Sequence, residues 1–185
     1  RLCLQELPMK TVVVVPTYNE AENLSELVKR LFSLDVAGLD ILVVDDNSPD
    51  GTQRVAQKLS ADYGNITVVC RPRKLGLGSA LRDGIESALA TDATYIMTMD
   101  ADYSHDPLDV PRLMDVMRDS GVDMVQGSRY VRGGGVRGWP VHRMVLSRTA
   151  NLLYHWFAGA PHESTSNFRA ISTKGKSDDL YRMTS

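Results

Sequence analysis

Asp100-Ala101-Asp102 closes the apolar run Tyr95-Ile96-Met97-Thr98-Met99. Two carboxylates two residues apart at a strand end point the same way if the chain is still extended there. Their charges repel, which raises a pKa unless a cation sits between or beside them. Mg2+ and Mn2+ prefer oxygen ligands, and Mg2+ typically takes one or two carboxylates and completes its shell with substrate phosphates. The plainer reading is an acidic helix start near the positive end of a helix dipole. Asp106-Pro107 suits that role better, which leaves Asp102 as the candidate metal ligand. Asp100 fits either the same cation or the ligand beside it.

Further polar clusters follow other apolar runs. Asp45-Asp46 ends Ile41-Leu42-Val43-Val44 and opens Asn47-Ser48-Pro49-Asp50-Gly51-Thr52. A turn and helix cap account for Asp50 and Thr52. They do not account for two acids directly off a buried strand, one of which could accept hydrogen bonds from a base or ribose. In Pro16-Thr17-Tyr18-Asn19-Glu20, Asn19 can cap a helix, Glu20 suits its first turn, and Tyr18 offers a ring for stacking. Arg129, in Gly127-Ser128-Arg129-Tyr130, has the planar fork that suits phosphate, although a surface ion pair explains it equally. Arg143 and Ser147 are four apart, near the start of a helix that Pro140 would open, and so share a face at its positive end. An exposed arginine beside a neutral serine is the alternative there. Leu75-Gly76-Leu77-Gly78 is not a dinucleotide fingerprint, because position 81 is Leu and the glycines follow the third strand rather than the first.

These residues need elements to carry them, and the pattern supplies an alternating series. Strands are expected at Thr11 to Val15, Ile41 to Val44, Ile66 to Cys70, Tyr95 to Met99 and Met124-Val125. Helices between them are marked by Leu24, Leu27, Val28 and Leu31, by Val55, Ala56, Leu59 and Tyr63, by Leu81, Gly84, Ile85, Ala88 and Leu89, and by Val110, Leu113, Met114 and Met117. Strands apolar on both faces, alternating with helices, give an α/β fold with a mainly parallel sheet flanked by helices. Ligands of such sheets sit outside the carboxyl ends of the strands, where every acidic cluster falls. Gly133-Gly134-Gly135 begins a loop closed by Trp139-Pro140, and Val141 to Phe157 reads as a further helix. Residues 1–8 are expected to be a lead-in, 9–171 the domain, and 172–185 an irregular or truncated tail.

Composition excludes several classes. A net charge of −2, with 24% charged residues, gives no general electrostatic reason to bind nucleic acid. No apolar run approaches the ~20 residues of a spanning helix, and no signal pattern opens the chain. A membrane role would be peripheral or would rely on another segment as anchor. Of the two cysteines, Cys3 and Cys70, the second ends an apolar run and is expected to be a buried reduced thiol rather than half of a bridge.

Taken in order, VVVVPTYNEAENL, ILVVDDNSPDGT, LGLGSALRDGI, TMDADYSHDP, GSRYV, the GWPVHRMVLSRTAN run and, more loosely, ESTSNFR resemble the family-2 glycosyltransferases. Within these the match is to dolichyl- or polyprenyl-phosphate mannosyltransferases, narrowed by the Gly-Trp-Pro-x-x-Arg-x-x-x-Ser pattern. Glu163 stands where relatives usually have Asp. The resemblance implies the nucleotide-diphospho-sugar transferase (GT-A, Rossmann-like) fold. It also implies inverting transfer of mannose from GDP-mannose to dolichyl or polyprenyl phosphate with Mg2+ or Mn2+. Pro16, Tyr18, Glu20, Val44 and Asp46 would hold the guanosine part. Asp100, Ala101 and Asp102 would meet diphosphate, mannose and metal, with Ser104 near the metal and Arg129 near the donor. Arg143 and Ser147 would grip the acceptor phosphate. The enzyme would work at the cytoplasmic side of a membrane, brought there by a membrane-anchoring partner subunit. Three rivals stand beside this reading: a UDP-sugar transferase, a non-catalytic nucleotide-sugar binder, and a phospho-receiver domain. The last would need an Asp and a Lys where the third and fifth strands end in Cys70-Arg71 and Ser128-Arg129.

Overall fold

A computed structural model describes residues 9–128 and 166–174, together with Thr149 and Trp156. The elements run β1 (Thr11–Thr17), α1 (Ala21–Phe32), β2 (Leu39–Asp45), α2 (Thr52–Tyr63), β3 (Ile66–Cys70), α3 (Leu77–Leu89), β4 (Tyr95–Thr98), α4 (Asp109–Ser120), β5 (Met124–Gln126) and β6 (Arg169–Ser172). They build one sheet in the order β3-β2-β1-β4-β6-β5. The β1–β2, β2–β3 and β1–β4 pairs are parallel, whereas β6 runs antiparallel to both β4 and β5. The expected mainly parallel sheet is therefore present, with one reversed strand.

The period-two geometry of a strand sends alternate side chains to opposite faces. Val13, Val15, Ile41, Val43 and Met97 enter a core with Leu24, Leu27, Val28 and Leu31 of α1, Ala56 and Leu59 of α2, and Val110, Leu113, Met114 and Met117 of α4. Val12, Val14, Leu42, Val44 and Ile96 enter a second core with Ala80 and Ala88 of α3. Helices cover both faces, which is why the strands read as unbroken apolar runs. α3 lies especially close: a methyl group added at Gly84 would overlap Val14 Cγ1 and stand 3.0 Å from Val44 Cγ2.

Two expectations change. Cys70 is exposed, because β3 is the edge of the sheet and offers one of its faces to solvent. Ser172, read as the start of a tail, ends β6, and Thr173 is bonded to the chain ahead of β4. Ser172 pairs with Tyr95, and the buried Thr173 hydroxyl donates to Ala93 O at 2.7 Å. The loop of residues 133–140 and most of the helix expected over 141–157 lie outside the described residues; Thr149 and Trp156 are helical.

Candidate active site

The chain leaves β1 toward β2 and β3 on one side, then returns to place β4 on the other side of β1. The loops after β1 and β4 consequently diverge and open a crevice at the carboxyl ends, the usual ligand position of such sheets. β2 and β4 both flank β1, so the acid-bearing tips lie within about 10 Å, two strand spacings.

After β1, Asn19 takes a left-handed conformation at φ 62 and does not cap α1 as expected; Glu20 occupies the N-cap position. The cap is supplied across the sheet by the β2–α2 loop. Ser48 Oγ accepts from Asn19 N–H at 3.0 Å, Thr52 Oγ1 from Glu20 N–H at 2.9 Å, and Asp50 Oδ2 from Ala21 N–H at 3.0 Å. Asp50 also accepts from the Thr52 N–H and hydroxyl, so its carboxylate ties two helix starts together. Burial pushes its pKa up, but the bonds from the Thr52 hydroxyl and the Ala21 and Thr52 N–H groups prevail and hold it below the ordinary value. Glu20 accepts from Asn23 Nδ2 at 2.7 Å. Its pKa is raised, first by burial and then by the charges of Asp102, Asp50 and Asp100, against the lowering effect of Asn23. Carboxylates from three strand tips thus share one electrostatic environment.

After β2, the two acids separate in role. Asp45 is buried and accepts from the Thr17 hydroxyl at 3.1 Å, the Ser48 hydroxyl at 2.6 Å and Ser48 N–H at 3.0 Å. Asp46 accepts from Arg71 Nη1 at 2.9 Å, from Leu75 N–H at 2.9 Å and from Gly76 N–H at 2.8 Å. Gly76 sits at φ 93, ψ 160, a region open to glycine and little else. Arg71 also donates to Ser79 Oγ at 2.7 Å and pairs with Asp83 at 3.1 Å. Asp46 thereby fixes the β3–α3 loop beside the β1 tip. That loop brings the Lys74 ammonium 3.6 Å from the centre of the Tyr18 ring, covering one face of the expected stacking platform. Sequence reading passed over Arg71 and Lys74, although the basic run Arg71-Pro72-Arg73-Lys74 ahead of the glycines was a signal. Pro16 is buried within β1, and Val44 is fully buried beneath α3.

After β4, the chain does not stay extended through Asp102. β4 ends at Thr98, residues 101–105 bend, and Tyr103 takes φ 58, a conformation rare for a bulky residue. Ala101 is buried between Asp100, which is partly exposed, and Asp102, which is exposed. Ser104 N–H donates to Asp102 Oδ1 at 2.9 Å, bending the chain around that carboxylate. Tyr103 reaches back to α1, its hydroxyl donating to Asn23 O at 3.0 Å. Asp106 accepts from Leu108 N–H at 3.1 Å ahead of α4, the turn role assigned to it. Arg129, Arg143 and Ser147 lie outside the described residues.

The donors at the crevice are oxygens, and among the described residues no three His, Cys, Asp or Glu side chains form a cation cage. Two carboxylates suffice for a hard divalent ion that draws its other ligands from phosphates and water. The residues present fit Mg2+ or Mn2+ held by Asp102 and Asp100 with a diphosphate.

Comparison with known proteins agrees with this geometry. The chain is 44% identical over 163 residues to a polyprenol monophosphomannose synthase of Mycolicibacterium smegmatis, covering 87% of this chain and 61% of that protein. It is 42% identical over 143 residues to a dolichol-phosphate mannosyltransferase of Pyrococcus furiosus, covering 77% and 39%. It therefore spans less than two thirds of either relative. Among solved structures, a mannosyltransferase from Pyrobaculum calidifontis in complex with GDP-mannose and Mn2+ shares the fold at TM-score 0.62 and 19% identity, over 96% of this chain and 47% of that one. A glucosyl-3-phosphoglycerate synthase from Mycobacterium tuberculosis, in complex with Mn2+, UDP-glucose and phosphoglyceric acid, aligns at TM-score 0.62 and 25% identity, over 89% and 57%. The sheet and its flanking helices are those of the GT-A glycosyltransferases. The model of glycosyl transferase family 2 matches residues 12–178, and the chain belongs to that family.

Proposed function

We propose that this chain moves mannose from GDP-mannose to a dolichyl or polyprenyl phosphate with inversion. The observation that carries the reading is the joining of the loop that bears Asp100 and Asp102 to the start of α1, where Asn23 takes the Tyr103 hydroxyl and donates to Glu20. The identity to polyprenol and dolichol phosphate mannose transferases narrows the substrates. Mg2+ or Mn2+ at Asp102 and Asp100, with Ser104 alongside, would supply positive charge to the diphosphate as it leaves.

The chain's own part is orientation. Pro16, Tyr18, Glu20, Val44 and Asp46 line or underlie the guanosine side, Asp46 through the 71–76 loop that it holds. Asp100, Ala101 and Asp102 face the diphosphate and sugar, Arg129 joins the donor, and Arg143 with Ser147 binds the acceptor phosphate. An oxygen of that phosphate attacks the anomeric carbon, and the bond to the diphosphate oxygen breaks with its electron pair going to GDP. A phosphate monoester is largely ionised at neutral pH, its second pKa being about 6, so no strong general base is required. Catalysis then rests on positioning and charge. No helix among the described residues is long and apolar enough to cross a membrane. A polyprenyl phosphate acceptor resides in a membrane, so the reading has the chain work peripherally at the cytoplasmic face, with an anchoring partner or segment.

The similarity to a synthase holding UDP-glucose favours a second reading, transfer from a UDP-sugar. Parallel incubations of GDP-mannose and of UDP-glucose with a short polyprenyl phosphate, with and without chelator, decide. Expected is mannosyl polyprenyl phosphate, lost on chelation and in Asp102→Asn. Product from UDP-glucose instead, or donor binding without any transfer, would overturn the proposal.

A further inference from the structure

Asp100 is gripped by a segment that enters the sheet from far along the chain. Asn167 immediately precedes Phe168 and β6, whose Arg169 pairs with Thr98 at the end of β4. Asn167 Nδ2 donates to Asp100 Oδ1 at 2.8 Å, while its backbone carbonyl accepts from the Thr98 hydroxyl at 2.5 Å. A second route runs through the next residue. The buried Phe168 ring stacks on the buried His105 ring, centroids 5.1 Å apart and planes 14° apart, and His105 Nδ1 accepts from the Asp100 backbone N–H at 3.3 Å. Side chain and backbone of Asp100 are thus both set by residues 167 and 168. Its Oδ2 lies 3.9 Å from His105 Nδ1, beyond hydrogen-bond reach.

We propose that Asn167 is the positioning residue for Asp100: its amide fixes the carboxylate in the orientation that a divalent cation and diphosphate require. The donor is neutral, which matters. A lysine or arginine at this place would orient Asp100 equally well but would cancel the charge the cation needs. An amide restricts rotation about the Cβ–Cγ bond and leaves the full negative charge. Partners of this kind behind a metal-binding carboxylate typically change metal affinity or activity about 10–100-fold when removed.

This inference rests on the reading of Asp100 and Asp102 as the cation–diphosphate site, and the test separates the two. Mn2+ binding in the presence of GDP is measured by the electron paramagnetic resonance of free Mn2+, for wild type, Asn167→Leu and Asp102→Asn. Asn167→Ala, which removes the amide without adding bulk, carries the test should leucine not fit. Thermal unfolding and GDP binding without metal serve as controls. Expected for the Asn167 variants is Mn2+ affinity weakened about 10–100-fold, with cation-free GDP affinity unchanged. The metal-free melting temperature should fall by no more than about 4 °C, the scale of one ordinary hydrogen bond in a domain of this size. Wild-type Mn2+ affinity in both Asn167 variants overturns the inference. So does a matching loss of cation-free GDP affinity, which would mark a merely structural role. Wild-type affinity in Asp102→Asn would instead sink the metal-site reading itself.

Discussion

Asp46 and Arg71 form an ion pair at 2.9 Å with side chains only 5% and 4% exposed. Desolvating two charges is costly, and such a pair is sustained only when the remaining donors and acceptors are filled. Here Leu75 and Gly76 N–H groups complete the carboxylate, while the guanidinium donates to Ser79 and lies beside the Asp83 carboxylate, its Nε making an ion pair but no aligned hydrogen bond. Removing one partner strands the other. Arg71→Met is expected to cost about 3 kcal/mol, read from the denaturant midpoint, and Asp46→Asn combined with it should recover part of that loss. An unchanged midpoint in the single variant would contradict the burial argument.

Glu20 makes a pH-dependent contribution of definite sign. Its pKa is raised from the ordinary 4.5, so the folded chain holds a proton at pH values where the unfolded chain has released it. Stability contributed by this residue is therefore full below 4.5 and is lost as pH rises through the folded value. Glu20→Gln removes that loss. Without divalent cation the variant should melt above wild type near neutral pH, and the gap should close below 4.5. An offset of the same size on both sides of that pH would show that charge is not the cause.

Gly84 sets how closely α3 approaches the sheet. Alanine there would gain up to about 1 kcal/mol in helix propensity. Its methyl group, however, would meet Val14 and Val44, both fully buried. Overpacking of that kind costs about 1–3 kcal/mol, because β-branched core side chains have little freedom to turn away. Gly84→Ala should therefore be net destabilising in chemical denaturation; a gain in stability would show that the helix can shift.

Cys70 is exposed, yet slow alkylation is expected of it. Partial burial and then the negative charge of Asp45 push its thiol above the ordinary 9.0. The nucleophile is the thiolate, so iodoacetamide at neutral pH should modify Cys70 more slowly than it modifies free cysteine. The rate should climb as pH passes 9.0. A Cys3→Ser background isolates the signal, and fast labelling at neutral pH would refute the expectation.

What the sequence made legible follows from the range of the interactions involved. Val12 to Val15 and Ile41 to Val44 announce themselves because each residue is buried on whichever face it meets. Leu24, Leu27, Val28 and Leu31 do so by helical spacing. Their acidic ends then fall at one edge by topology alone. β3 misled because an edge strand and a central one share an apolar run, and only the neighbours decide that Cys70 is exposed. β6 stayed hidden for another reason: it is four residues long, with Ser172 turned inward and Arg169 partly exposed, so no period survives. The pairings of Asp46 and Asp100 were not legible either: the basic run marked Arg71 as notable but not as the partner of Asp46, and Arg71 and Asn167 lie 25 and 67 residues from the acids they meet once the sheet has formed.

The reversed strand has a consequence for biosynthesis. β6 lies between β4 and β5, so the ribosome releases both neighbours well before the piece that must slot between them. Until then the nascent domain carries two raw edges facing an open gap, the kind of surface on which strands of other molecules can add. The β1–β2–β3 side of the crevice can assemble early, whereas the carboxylate at position 100 waits for its amide clamp. Vectorial synthesis thus orders the Asp100 carboxylate only after β6 has entered the sheet.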